Sequence, residues 1–153
     1  MIDSEQEYLT FMLQGEEYGV DILCVQEIRV WSSVTELPNK PEYLKGVINL
    51  RGTVIPIVDV RLKFGMAERE YDINTAIVIN EIDNVSIGFV VDRVEDVLSI
   101  KHSALTEALK FGSSVDTSFI ENVAQIDKNV VMILNLKKIF EQDELVDISQ
   151  IDA

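Results

Sequence analysis

Two segments of this chain recur later in it, and that recurrence limits the possible folds more than any composition does. Tyr18 to Ile28 (YGVDILCVQEI) aligns with Ile87 to Val97 (IGFVVDRVEDV) at a constant offset of 69, so Gly19 meets Gly88 and Val25 meets Val94. Further on, Val54 to Phe64 (VIPIVDVRLKF) aligns with Val130 to Phe140 (VVMILNLKKIF) at an offset of 76, with Asp59 facing Asn135. The alternative is a chance match between two halves rich in Val and Ile. Self-similarity at a fixed spacing reads as related supersecondary units. A unit of about 70 residues has only a marginal core by itself. Two such units, over about 8–66 and 75–140, are therefore expected to pack their apolar faces into one domain of 153 residues. The charged stretch Met66 to Asn74 (MAEREYDIN) is the expected link between them.

Local patterning says what the units are made of. Period-2 alternation far outnumbers helical periodicity. Expected strands are Tyr8–Leu13, Tyr18–Ile22, Gln26–Trp31, Gly46–Arg51, Val54–Val60, Ala76–Glu81, Val85–Val91, Asp96–Ile100, Val123–Ile126 and Val130–Asn135. Gln14-Gly15 closes the first pair into a hairpin. Short strands at this spacing indicate an all-β sandwich or barrel. Helical signals are limited to Pro41–Lys45, Arg61–Phe64 before Gly65, a turn or two within Ser103–Lys110, and Leu136–Gln142. Leu105 to Thr117 reads as a flexible connection, and Glu141 to Ala153, with five carboxylates and no cation, as a solvated acidic tail.

Charge and composition exclude several functions. A net charge of -14, with 13 scattered Lys and Arg, repels phosphate backbones and anionic membranes and suits partners with basic patches. Nucleic acid is thus not an expected partner. No uncharged run exceeds eight residues, whereas a spanning helix needs about 20 apolar ones, and the acidic N-terminus is unlike a secretory signal. A cytoplasmic protein without membrane insertion is expected. The lone Cys24 excludes an internal disulfide framework and reads as a small core residue.

YGVDILCVQEIRVW, LPNKPEYLKGVINLRGTVIPIVDVRLKFG and VSIGFVVDRVEDVL together resemble the CheW-like family of bacterial chemotaxis coupling proteins, across nearly the whole chain. NLRG, the VIPIVD strand and the R-x-K-F-G turn, at their spacing from V-x-E-I, carry the resemblance. It implies two SH3-like five-stranded β-barrels on a shared hydrophobic core, joined by short connecting helices. It also implies an adaptor with no enzymatic activity and no cofactor or metal. The implied partners are the regulatory domain of a CheA-type histidine kinase and the cytoplasmic tip of a chemoreceptor, with recruitment to membrane receptor arrays. The chain's length argues for the free-standing adaptor, since it leaves no room for a receiver or an ATP-binding domain. The resemblance carries receptor-binding roles to Val25, Glu27, Gly46, Arg51, Val94 and Val97, and kinase-binding roles to Val34 and Val54. A CheW-like regulatory module of another signalling system is the alternative.

Arg51 is the residue that local patterning explains least. It stands in GVINLRGTVIPIVDV, an almost unbroken apolar run, and a guanidinium there is costly unless a carboxylate meets it. Glu27 is the partner that the resemblance implies; regular strand pairing would put Val25, Glu27 and Arg29 on one face. Alternatively, Arg51 caps an exposed strand end. Gly52 reads as a turn residue, and Gly46 as a bulge, a bend or a close approach of another backbone. Pro56 lacks an N–H, which argues for an edge strand or a bulge. An enzyme is the competing class. Asp59 and Asp92, embedded in apolar strands, would supply its carboxylates, but each reads better as a strand end bonding the following turn. His102 is the only histidine and reads as a surface residue.

Overall fold

The computed structural model describes residues 3–107 and 119–139. The strands are β1 (Glu5–Leu13), β2 (Glu16–Asp21), β3 (Val25–Val30), β4 (Leu44–Leu50), β5 (Thr53–Asp59), β6 (Ala76–Ile82), β7 (Val85–Val91), β8 (Arg93–Lys101), β9 (Leu105–Glu107), β10 (Ile120–Ile126) and β11 (Asn129–Leu134). Two four-residue helices, α1 (Val60–Lys63) and α2 (Leu136–Ile139), follow β5 and β11. The strands form two sheets, ordered β8-β1-β2-β11-β10-β9 and β3-β6-β7-β5-β4. We call these barrel 1 and barrel 2; the expected all-β, two-barrel architecture is what the chain adopts. Among the described residues no helix is long and apolar enough to cross a membrane.

The barrels do not coincide with the sequence halves 8–66 and 75–140. Barrel 1 takes β1 and β2 from the first half and β8 to β11 from the second, while barrel 2 takes β3 to β5 and then β6 and β7. The repeat is real in space but intertwined. Each first segment pairs with the second segment of the other copy: β2 runs parallel to β11 with Gly19 opposite Ile133, and β5 parallel to β7 with Ile57 opposite Gly88. Four bulges obey the same offsets. The extra residues are Gln26 in β3 and Glu95 in β8, then Lys45 in β4 and Glu121 in β10. Asp59 caps α1 through Leu62 N–H at 3.2 Å, and Asn135 accepts from Lys137 N–H at 3.1 Å at the head of α2.

Packing explains why neither barrel stands alone. Five buried side chains fill barrel 1 (Tyr8, Ile100, Ala124, Val131, Ile133) and five fill barrel 2 (Ile55, Ile57, Ile77, Ile79, Val90). Seventeen more, from both barrels and both helices, form one cluster between them, among the described residues. Most apolar burial, and so most of the hydrophobic driving force, lies at the joint. Phe64 after α1 stacks on Phe119 before β10, with ring centroids 3.9 Å apart, tying the end of α1 to barrel 1 across it.

Several local expectations are corrected. Arg51 is not inside a strand: it and Gly52 form a two-residue hairpin between Leu50 and Thr53, with φ of 50° and 87°. Two successive positive φ values match the right-handed strand twist, and glycine suits the second position. Pro41–Lys45 is not helical; a single bond from Leu44 N–H to Pro41 O turns the chain into β4. Pro56 is not on an edge, because β5 lies between β7 and β4. It is tolerated there because Val47, opposite it, directs its N–H and carbonyl to Thr35, and the parallel ladder to β7 starts only at Ile57. The bulge expected near it is in the partner strand, at Lys45. Leu105–Glu107 is strand β9, preceded by a 3-10 turn at His102–Ala104. The remainder of the 105–117 connection, the end of the Leu136–Gln142 helix, Phe140 and the acidic tail lie outside the described residues.

The two equivalent glycines differ in how closely they are approached. A Cβ on Gly88 would lie 2.5 Å from Ile57 Cδ1 and 2.9 Å from Ile77 Cγ2, whereas on Gly19 the nearest atom, Ile133 Cδ1, is at 3.1 Å. Gly88→Ala is expected to lower the unfolding free energy in urea by about 2 kcal/mol, and Gly19→Ala by under about 1 kcal/mol; equal losses would refute the difference in packing. Asn80, the repeat equivalent of Phe11 at the offset of 69, is wholly buried in β6, and its Oδ1 has no hydrogen-bond partner among the described residues. Asn80→Leu is expected to stabilise the fold by about 1 kcal/mol in the same assay, because an orphaned buried acceptor is removed.

Candidate functional site

The β4–β5 hairpin presents Arg51 to β3. Its Nη1 donates to Glu27 Oε1 at 3.2 Å, and Arg29 Nε stands 3.9 Å from Glu27 Oε2. The Arg51 side chain is 74% exposed, so the guanidinium keeps most of its water and the pair is worth under about 1 kcal/mol. Asn49 Oδ1 accepts from Gly52 N–H at 2.9 Å and holds the turn in shape. Ile28, Leu50 and Asn49 complete a shallow depression with these three charges. The ion pair is therefore a surface feature rather than a structural one.

The other sequence-selected residues lie in different surroundings. Because Gln26 is an extra residue, β3 pairing is not regular: Val25 sits opposite Asn80 and packs on the central cluster, while Glu27 sits opposite Ile79, on the other face. Val25, Glu27 and Arg29 thus do not share one face. Val94 on β8, the equivalent of Val25, also packs on the central cluster, and Val97 is 44% exposed. Gly46 has φ 153°, and a Cβ there would come within 2.9 Å of the Thr35 carbonyl carbon and of Val34 Cγ2. It is a close-approach glycine that lets the Val34–Thr35 backbone lie on β4. Val34 packs against the barrel 2 interior, and Val54 is half-buried in β5 opposite Asn49.

Sequence reasoning passed over two features. Ile28 is 45% exposed at the position equivalent to Val97, and Val30 is 75% exposed two residues on. Both lie on β3, an outer strand of barrel 2, as Val97 lies on β8, an outer strand of barrel 1. Exposed apolar side chains on two strands that are outermost among the described residues are the signal, and it needs the sheet order to be seen.

The second feature is a buried ionic cluster around Asp92. Arg61 grips the carboxylate with both Nε and Nη2, at 2.7 and 2.8 Å, Arg69 Nη1 stands 3.2 Å away, and Gln14 N–H donates at 3.0 Å. Burial by itself would raise the Asp92 carboxyl, but the Arg61 hydrogen bonds, the Gln14 N–H and the two arginine charges outweigh it and hold it below the usual carboxylate range. Beside it Asp59 accepts from the Tyr71 hydroxyl at 2.5 Å, and burial, together with that carboxylate, pushes the tyrosine well above its ordinary value. Asp59 does bond its following turn, as expected; Asp92 instead bonds two arginines and a distant hairpin. His102 is exposed, and Cys24 is half-buried against the central cluster, where burial pushes its thiol up.

The fold and its edge strands define an all-β protein of two pseudo-symmetric SH3-like barrels. A family model described as the CheW-like domain matches residues 7–144. Over 140 residues the chain is 37% identical to the chemotaxis protein CheW of Klebsiella aerogenes, covering 92% of this chain and 84% of that one. It is 30% identical over 140 residues to the probable chemotaxis protein CheW of Rhizobium etli, covering 92% and 90%. Among solved structures, the scaffolding protein TtCheW from Thermoanaerobacter tengcongensis superposes with a TM-score of 0.84 at 33% identity, covering 92% of this chain and 96% of that one. The chain belongs to the CheW-like domain family.

Asp92→Asn leaves Arg61 facing a neutral amide in a pair whose side chains are only 12% and 9% exposed, and is expected to cost about 3 kcal/mol at pH 7. The Asp92 carboxyl is lowered in the folded chain, so the stabilisation is full above the unfolded value of about 4 and is lost as pH falls through the folded value. Urea titrations from pH 7 to pH 3 should show the wild-type advantage over Asp92→Asn narrowing below about pH 4. A constant advantage across that range would mean that the charge is not what stabilises.

Proposed function

We propose that this chain is a non-enzymatic, cytoplasmic adaptor that links the signalling tip of a chemoreceptor to the regulatory domain of a CheA-type histidine kinase. The observation that carries the reading is the pairing of an exposed ion pair, Glu27 with Arg51, with apolar residues on the outer strands β3 and β8. A receptor helix tip would lay an apolar face on this surface, and an amphipathic helix is read by an apolar strip that anchors one face and charges that fix its register. In this reading the half-buried Val25 and Val94, at the edge of the seam, and the exposed Val97 supply the apolar contact, Glu27 and Arg51 on the other face of β3 the polar one, and Gly46 the backbone approach that shapes the β4 side. Val34 and Val54, on barrel 2, meet the kinase. The names of the relatives, chemotaxis protein and scaffolding protein, support an adaptor role. A net charge of -14 suits assembly with partners that carry basic patches. No cofactor enters the mechanism: the adaptor acts by holding two proteins together, so that the receptor's state reaches the kinase.

Calorimetric titration tests this with two partners, a CheA-type regulatory domain and a receptor-tip fragment. Both are expected to bind. Arg51→Ala is expected to reduce receptor-tip affinity at least about tenfold, to leave kinase binding intact, and to change stability by under about 1 kcal/mol. Absence of binding to both partners by folded protein would reject the proposal, and a large fall in melting temperature would make Arg51 structural instead of a contact.

A further inference from the structure

The described chain passes between the barrels at two points, and the repeat makes these points equivalent. From β2 to β3 it crosses through the 3-10 turn Ile22–Cys24, and from β7 to β8 through a single residue, Asp92. The offset of 69 sets Asp92 opposite Leu23. The two residues have opposite fates. Leu23 is 87% exposed, whereas Asp92 is 8% exposed and is held from both barrels. From barrel 1 come Gln14 N–H in the β1–β2 turn, bonded to the carboxylate, and Met12 O, which accepts from Asp92 N–H at 3.1 Å. From barrel 2 comes Arg61 of α1, bidentate, and from the strap 66–74 comes Arg69. Arg61 is itself anchored, since its Nη1 donates to Ala67 O at 3.0 Å. One crossing is thus a capped turn seated by the apolar contacts of Ile22 and Cys24, and the other is a charged clamp.

We infer that Asp92 is a positioning residue, a clamp that sets the angle between the barrels and thereby the placement of Val94 and Val97 on β8 relative to β3. Val94 is two residues beyond the clamp, so β8 leaves the joint in the direction that the carboxylate network imposes. Bidentate Arg–carboxylate geometry fixes direction as well as distance, which a hydrophobic joint does not. Apolar packing at the joint supplies adhesion; the clamp supplies its orientation. This inference rests on the receptor-binding reading given above. In that reading the receptor site draws on both barrels, through β3 and β8, whereas the kinase residues Val34 and Val54 belong to barrel 2 alone. Loosening the clamp therefore weakens one partner selectively.

Two variants test the clamp. Asp92→Asn removes the charge, and Arg69→Ala removes the outer arm, with its surface pair to Asp72, from a side chain 46% exposed, and is expected to fold normally. Spin labels at Ile28→Cys and Val97→Cys, in a Cys24→Ser background, report the distance between the outer strands of the two barrels. Each clamp variant is expected to shift or broaden that distance distribution. In unlabelled protein each is expected to weaken receptor-tip binding about tenfold and kinase binding less than about twofold. An unchanged distance distribution in both variants, or equal loss of both partners, would overturn the clamp. If the unmodified chain fails to bind the receptor tip, the functional reading fails, and the distance measurement alone still decides whether Asp92 orients the barrels.

Discussion

Burial of one apolar seam between two small barrels is the constraint on which everything else in this chain depends. Each barrel closes around a handful of buried side chains, too few to offset the conformational entropy of its strands, and the shared cluster supplies the rest. Phe11, Leu13 and Val20 from barrel 1 and Val58, Val78 and Phe89 from barrel 2 meet there, with Leu136 and Ile139 of α2. Cutting the chain between the two barrels is not possible with one cut, because β2 to β3 and β7 to β8 both cross the seam. Folding is therefore a property of the whole domain, and the surface that faces partners inherits its geometry from the seam.

The intertwining has a physical origin in the parallel ladders. A parallel pair needs a crossover connection: β2 meets β11 because the chain leaves barrel 1 and later returns, and β5 meets β7 by way of α1, the 66–74 strap and β6 within barrel 2. Close strand packing at these ladders is what the glycine pair serves, since the Ile133 and Ile57 side chains lie over Gly19 and Gly88. The matching bulges at Gln26 and Glu95 then turn each outer strand, so that Val25 and Val94 face the seam while the residues beyond change face. A one-residue insertion in a strand is enough to separate a core contact from a surface charge two positions away.

How far the sequence could be read follows from which features are local. Alternation located all ten expected strands to within a few residues, since period-2 burial is a property of each strand by itself. The offsets of 69 and 76 announced two related units, but assigning the halves 8–66 and 75–140 to separate barrels failed, because pairing between copies leaves no mark on either copy. Arg51 was legible as an anomaly and its partner Glu27 followed from the family resemblance; its place in a left-handed turn position did not, since arginine is not a residue such turns favour. Pro56 misled for a related reason. Its missing N–H is harmless where neighbouring strands turn their bonds elsewhere, and that arrangement depends on Thr35, twenty-one residues earlier. The Asp92 cluster draws on Gln14, Arg61 and Arg69, scattered over the chain, and no spacing rule joins them.

Two arginine–carboxylate pairs in this protein show how exposure divides one chemistry into two roles. Glu27 and Arg51 meet in water: their attraction is screened, either partner can be released at little cost, and both remain available to an incoming helix. Asp92 and Arg61 meet where water is largely excluded, and neither can be released without leaving a buried charge uncompensated. The first pair suits recognition, which requires exchangeable bonds, and the second suits geometry, which requires bonds that do not exchange. A joint held by apolar contacts alone permits small rotations at little cost, because dispersion and burial are nearly indifferent to direction. Setting a directional ion pair at one crossing, where the other has a capped turn held by apolar packing of Ile22 and Cys24, restricts that rotation from a single side.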